Sequence, residues 1–151
     1  MLCMALLAAA PTVYGQNAEY NIACAGQGKD GAYMVKVTTR VKDTKKGVEE
    51  LKKCAVHGVM FRGFMGETTG CTDQKPLIKN PNVAQEKADF FTDFFTTGGY
   101  ARYVSYIDSS FTSTKIKRKN YEVSAIFLVD KESLLHYLEQ EKITDGFSNL
   151  W

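Results

Sequence analysis

Cys54 and His57 stand three residues apart in a stretch with helical periodicity, so their side chains fall on one face, and Cys71 could add a third ligand of the kind zinc takes. No second Cys-x-x-Cys or Cys-x-x-His pair accompanies them, so a packed thiol and a hydrogen-bonded imidazole is the stronger reading. Residues 26–31 spell GxGxxG. A dinucleotide site needs that turn to close a strand and open a helix, and here a second strand is expected to follow. Glu67, Asp73, Asp89, Asp93 and Asp108 are carboxylates that could meet as glycosidase pairs, yet none carries a motif. Asp89 and Asp93, four apart, read as solvated helix charges. The basic run Lys115-Ile116-Lys117-Arg118-Lys119 suits an anionic partner such as an envelope polymer or lipid headgroup. The favoured reading is a hairpin arm that must stay soluble and unpaired at its edge. His57 and His136 are the only histidines, and no nucleophile elbow or cysteine signature surrounds Ser105, Ser124 or Cys54, which argues against triad hydrolysis. No catalytic, metal or cofactor-binding residue is assigned, and no cofactor is expected.

These side chains must be positioned by a few elements. Tyr33, Val35, Val37, Thr39 and Val41 alternate with Met34, Lys36, Thr38, Arg40 and Lys42, which predicts a strand over residues 33–41 with one buried face. Asp43 and Thr44 offer capping oxygens to a helix whose apolar stripe is Val48, Leu51, Ala55 and Val59. Before this unit, residues 20–25 are a short strand candidate. After it, periodicity leaves residues 58–64 open between helix and strand.

Residues 65–80 read as a loop, with Gly66, Gly70, Cys71 and Pro76. Its length predicts that it is functional, stapled or mobile, and it is the leading surface for function. A second helix is announced either by Asn80 with Pro81 or by Asn82 with Gln85, carries Ala84, Ala88, Phe91 and Phe95 widened by Phe90 and Phe94, and ends at Gly98 or Gly99. The phenylalanines read as a core face rather than a ligand platform. Strands are expected over residues 100–107 and 120–129, paired as a hairpin through a long cationic loop at 109–120. Asp130 caps a last helix with Leu134, Leu135, Leu138 and the stem of Lys142 on its apolar side, and Gly146, Phe147, Leu150 and Trp151 form a tail expected to dock on the core.

The length is that of one ordinary domain, able to bury roughly 70% of its unfolded surface without metal or disulfide. A net charge of +2, with 24% charged residues, is far from the basic balance of a phosphate-tracking protein, so no nucleic-acid partner is expected. Residues 1–10 are uncharged and apolar, the length of a signal-peptide core and about half a membrane span. The small-residue rule favours cleavage after Val13-Tyr14-Gly15, leaving Gln16 as the mature N-terminus. The organisation expected is a signal peptide over 1–15 and a single domain over 16–151, periplasmic or secreted, with no membrane span. The missing basic n-region admits an internal start, or a short apolar segment of a cytosolic protein. Neither Cys3 nor Cys24 follows a lipobox. Removing the signal leaves Cys24, Cys54 and Cys71, an odd number that allows one bridge. Cys54 sits on the apolar side of its helix, which favours pairing Cys24 with Cys71, although spacing alone leaves open three unpaired thiols.

Cys24-Ala25-Gly26-Gln27-Gly28, Ala55-Val56-His57-Gly58, Gly70-Cys71-Thr72 with Lys75-Pro76-Leu77, and residues 82–95 together resemble a family of small exported proteins from bacteria of the Bacteroidetes group. The resemblance covers most of the mature chain and brings no reaction with it. More weakly, the order of strand, small-residue helix and antiparallel hairpin from Tyr33 onward is similar to envelope-assembly proteins related to penicillin-binding-protein activators and curli secretion components, which are non-catalytic partners of larger machines. The lipobox of those activators is missing here, so neither their anchor nor their partner is implied.

The expected fold is α+β: an antiparallel sheet of three to five strands with helices packed on one face. The expected function is a non-catalytic, exported cell-envelope protein that binds a protein partner or assembly. The alternative is a periplasmic small-molecule or glycan binder using the 65–80 loop. The interaction surface is assigned to Gly70, Thr72, Lys75, Lys115, Lys117, Arg118 and Lys119. A patch of exposed aromatics would favour the first function, a deep pocket with convergent polar groups the second.

Overall fold

Val35 and Val37 on one long strand face Phe127 and Ala125 on another, all four wholly buried, and the rest of the structure is layered on that seam. The computed structural model describes residues 19–144. The expected signal segment and the docking of the C-terminal tail lie outside the described residues. Strand β2 (Ala32–Val41) pairs antiparallel with β5 (Asn120–Asp130) from Ala32 opposite Asp130 to Val41 opposite Tyr121. Strand β1 (Tyr20–Gly26) flanks β2, and β3 (Val104–Tyr106) flanks β5, giving the order β1-β2-β5-β3 with β4 (Thr112–Lys117) also paired to β5. The fold is thus α+β, with an open antiparallel sheet of five strands and four helices among the described residues.

Pleating sends Val123, Ala125, Phe127 and Val129 of β5 to the core face, where all are fully buried. Helix α1 (Gly47–Phe61) covers them with Leu51, Ala55, Val56, Val59 and Met60. Phe91 and Phe95 of α3 (Ala88–Thr96), and Leu134 and Leu138 of α4 (Lys131–Gln140), complete this core. The opposite face carries Met34, Ile126 and Leu128, half-buried and outside the core cluster.

Several expected boundaries move. Asp43 caps a single 3₁₀ turn, Thr44–Lys46, and α1 follows, running on to Phe61. The second helix divides at Lys87 into α2 (Val83–Glu86) and α3, and the Asn82 side chain caps neither piece. Asn80 Oδ1 instead accepts from the Asn82 N–H (3.0 Å). Gly98, at φ +86°, closes α3. The strand expected over residues 100–107 is mostly a 3₁₀ turn, Gly99–Tyr103, leaving only Val104–Tyr106 extended. Here burial outweighs strand propensity: the Tyr100 ring stacks on Phe95 at 6.0 Å and its hydroxyl donates to Glu49 Oε2 (3.0 Å).

The long cationic loop expected at 109–120 is replaced by β4 and a two-residue turn at Arg118 and Lys119, with Lys119 at φ +56°. β3 and β4 share one edge of β5, and Ser110 mends the gap between them. Its hydroxyl accepts from the Ile126 N–H (3.0 Å) and donates to the Ile107 carbonyl (2.6 Å). Asp130 caps α4 as expected, through the Ser133 N–H (3.1 Å), but the helix stops at Gln140 and Lys142 lies beyond it at φ +56°. Among the described residues no helix is long and apolar enough to cross a membrane.

Candidate functional site

The 65–80 segment has little regular structure, yet it is fastened along its length. Cys71 is bonded to Cys24 of β1, with Cα atoms 5.9 Å apart, and Cys54 remains a buried free thiol. Phe64 and Gln74 exchange two backbone hydrogen bonds of 2.9 Å. The Leu77 and Ile78 N–H groups donate to the carbonyls of Val59 (3.1 Å) and Met60 (2.9 Å), which the end of α1 leaves without helical partners. Gly63 makes the turn into this segment at φ +67°, where a Cβ would stand 2.1 Å from the Gln74 carbonyl oxygen. The segment is a shaped wall held against the core.

Between that wall and α4 lies a cleft of about 700 Å³. Pro76, Leu77, Ile78, Val83, Leu135 and Ile143 supply its apolar surface, and Lys75, Lys79, Lys131 and Lys142 stand around it. Asp73 and Glu139 are its two carboxylates, so the lining carries a net +2. Tyr33 donates its hydroxyl to Gln74 Oε1 (2.9 Å), and Gln74 Nε2 donates to the Thr72 hydroxyl (2.8 Å), which fixes both side chains. The Tyr33 ring meets Phe64 edge-on at 5.1 Å and lies 5.0 Å from the Lys131 ammonium, so its surface is already occupied. Glu139 differs from its neighbours: its Oε1 is buried with no hydrogen-bond partner among the described residues, a costly state for an acceptor.

The expected site residues separate into two groups. Lys75 lines the cleft. Gly70 and Thr72 line a neighbouring hollow of about 320 Å³ over the disulfide, with Cys24, Gly26 and Gly28. Lys115, Lys117, Arg118 and Lys119 lie at the far end of the sheet, because β2 runs from Tyr33 beside the cleft to Val41 opposite Tyr121. Those ends are about 25 Å apart at strand rise, so no single site joins the two groups. What sequence reasoning missed is the contribution of α4, where Leu135 and Glu139 are four apart and share a face. That spacing was the available signal.

Among the described residues, His57 and Cys54 are held inside the core. His57, 7% exposed, is hydrogen-bonded through Nδ1 to the Tyr20 hydroxyl. The Arg62 guanidinium lies 3.9 Å from the centre of the Tyr20 ring and donates to the Tyr20 carbonyl (3.1 Å). Burial, with Arg62 adding to it, lowers the His57 pKa to about 4, so the imidazole is neutral at pH 7. Burial raises the Cys54 thiol to about 12, which leaves no thiolate for nucleophilic attack or metal ligation. Burial also raises the Tyr20 phenol. Cys71, tied to Cys24, cannot join Cys54 and His57 as a ligand, and among the described residues no three His, Cys, Asp or Glu side chains are grouped to hold a metal. Of the glycines of the GxGxxG stretch, Gly26 ends β1 and Gly28 and Gly31 lie in the turn to β2, so a strand follows.

Set against known protein families, curated proteins and solved structures, the chain matches none.

Proposed function

We propose that this protein is a non-catalytic, exported binding protein whose cleft between residues 73–80 and α4 takes a small organic anion with an apolar body. The observation that carries this reading is a cleft whose apolar side chains stand among four lysines and two carboxylates, Asp73 and Glu139. Lysines attract the anionic group, the apolar lining takes the body, and the two carboxylates of the lining, Asp73 and Glu139, favour a hydroxyl or amine N–H on it. A hydroxy or amino acid with a hydrophobic side group has all three. A glycan fits less well, since Tyr33 is the aromatic of the lining and its ring is taken by Phe64 and Lys131. Export is supported by the Cys24–Cys71 bond, which persists in an oxidising compartment, and by the apolar run at residues 1–10. The mature chain then begins at Gln16, which intact-mass measurement of the protein recovered from its native compartment reads directly.

The test is a thermal-shift screen of aliphatic and aromatic hydroxy, amino and simple carboxylates, followed by NMR mapping. Hits should raise the melting temperature, shift Leu135 and Ile143 resonances, and lose about tenfold in affinity in Lys79→Glu, an exposed position. A screen in which nothing binds, or in which binders map away from α4, overturns the reading. A protein partner is the second reading, favoured by the open sheet face with Met34, Ile126 and Leu128. Cross-linking in the native envelope that joins this face, or Lys75 and Lys117, to one reproducible protein is its test.

A further inference from the structure

The tightest concentration of charge lies away from the cleft, at the turn of the β4–β5 hairpin. Every residue of β4 is exposed on both faces, and the turn lies past the last rung that β2 shares with β5, Val41 opposite Tyr121. Lys115, Lys117, Arg118 and Lys119 ring this turn. Across β5 and just after β2, Arg40, Lys42, Lys45 and Lys46 extend the same end of the sheet. Residues 40–46 and 115–122 hold eight cations against Asp43 and Glu122, and Glu19 and Glu50 border the same hollow as Arg40, Lys42 and Lys46, a local net charge of +4 in a chain whose total is +2. The remainder is therefore at −2. Among the described residues none of these eight cations forms an ion pair. Solubility needs no such polarisation, and a field of one sign at one end of a domain is what steers it to an anionic surface.

A second observation says which surface. Lys115 pairs with Tyr121 and Lys117 with Asn120, so Ile116 is the extra residue of a bulge and belongs to neither rung. It is 43% exposed, one of two large apolar side chains in that state among the described residues, and it has a lysine on either side. An apolar side chain held out of a ladder amid cations suits the boundary between anionic headgroups and acyl chains. Single-stranded nucleic acid would instead call for exposed aromatics to stack its bases, and this arm has none.

We propose that the β4–β5 hairpin docks this protein on an anionic lipid surface, with Ile116 entering the headgroup layer and the surrounding lysines and arginines facing lipid phosphates. The proposal is independent of the cleft and its ligand.

The full-length protein is mixed with vesicles of phosphatidylcholine alone, or of phosphatidylcholine with phosphatidylglycerol, and the sedimenting fraction is measured. Binding is expected only to the anionic vesicles, falling about tenfold or more between about 0.05 and about 0.5 M NaCl. Lys117→Glu combined with Arg118→Glu should reduce it at least about tenfold, and Ile116→Ser about fivefold. The wild type and both variants share the same apolar N-terminal run, so differences between them report the hairpin. Heparin binding is measured beside each. Ile116→Ser should leave it unchanged, because a soluble polyanion offers nothing for the isoleucine to enter. Vesicle binding that is absent, or equal in all three proteins, overturns the proposal. Loss of vesicle and heparin binding in parallel in Ile116→Ser overturns it in favour of a soluble polyanion. A Trp placed by Ile116→Trp gives a further readout, since brominated lipid must quench it beyond the signal of the native Trp151.

Discussion

His57 makes acid the sharpest probe of this core. Its imidazole is buried against Phe61 and Phe95, with ring centres at 4.8 and 6.1 Å, and is tied through Nδ1 to Tyr20. A proton on Nδ1 would put a charge in an apolar site beside the Arg62 guanidinium, which is why the folded pKa falls from 6.5 to about 4. In the unfolded chain the ring titrates near 6.5. Between those values the unfolded chain binds a proton that the folded protein refuses, so stability falls as pH falls. The loss begins near pH 6.5, follows about 1.4 kcal/mol per pH unit, and is complete below pH 4 at about 3 kcal/mol. The assay is urea unfolding at steps from pH 7.5 to 4, in wild type and in His57→Gln, which keeps a polar partner for Tyr20 and does not titrate. The variant is expected to be less stable at pH 7.5 through lost ring packing, but nearly flat between pH 6.5 and 4.5. Glu49, held below the usual carboxylate range by Lys52 and Tyr100, begins to lose its contribution at the acid end of this range in both proteins alike, so the difference between their curves reports His57. A wild-type curve flat across the window, or a variant curve that falls as steeply, would refute the burial argument.

Two further perturbations address the wall of the cleft. Breaking the Cys24–Cys71 bond with Cys71→Ser frees a loop spanning a sequence separation of 47, and should cost about 4 kcal/mol in denaturant unfolding if unfolded-chain entropy dominates. A loss under about 1 kcal/mol would mean that the backbone bonds of Gln74, Leu77 and Ile78 hold the segment unaided. Gly63→Ala puts a Cβ at positive φ and against the Gln74 carbonyl, and should cost about 3 kcal/mol. Because that clash parts Phe64 from Gln74, amide exchange at Gln74 should accelerate more than exchange in β5.

Much of the fold was legible along the chain. The alternation through residues 33–41 and 120–129 fixed the two central strands and which face each buries, since a one-residue slip would send Val35 and Phe127 to solvent. Asp130 announced α4 and Gly98 ended α3 for local reasons, a side-chain oxygen for an unpaired N–H and a backbone at positive φ. Residues 100–103 failed because part of the winning force was remote: Glu49, 51 residues away, together with Phe95 of the preceding helix, holds Tyr100 in a turn. Residues 112–117 failed because a polar strand at an edge has no periodicity to display.

The site divides along the same line. Sequence by itself determined an apolar N-terminal run, a set of four cysteines, a glycine-bearing segment at 65–80 and a basic run at 115–119, because each depends on residue type over a few positions. Only tertiary structure brought α4 against that wall to make a cleft, left Glu139 Oε1 without a partner, and set the basic run at the opposite end of the sheet beside Arg40 and Lys42. Those are juxtapositions of segments distant in sequence, fixed by strand register and by the packing of one core, and composition carries no trace of them.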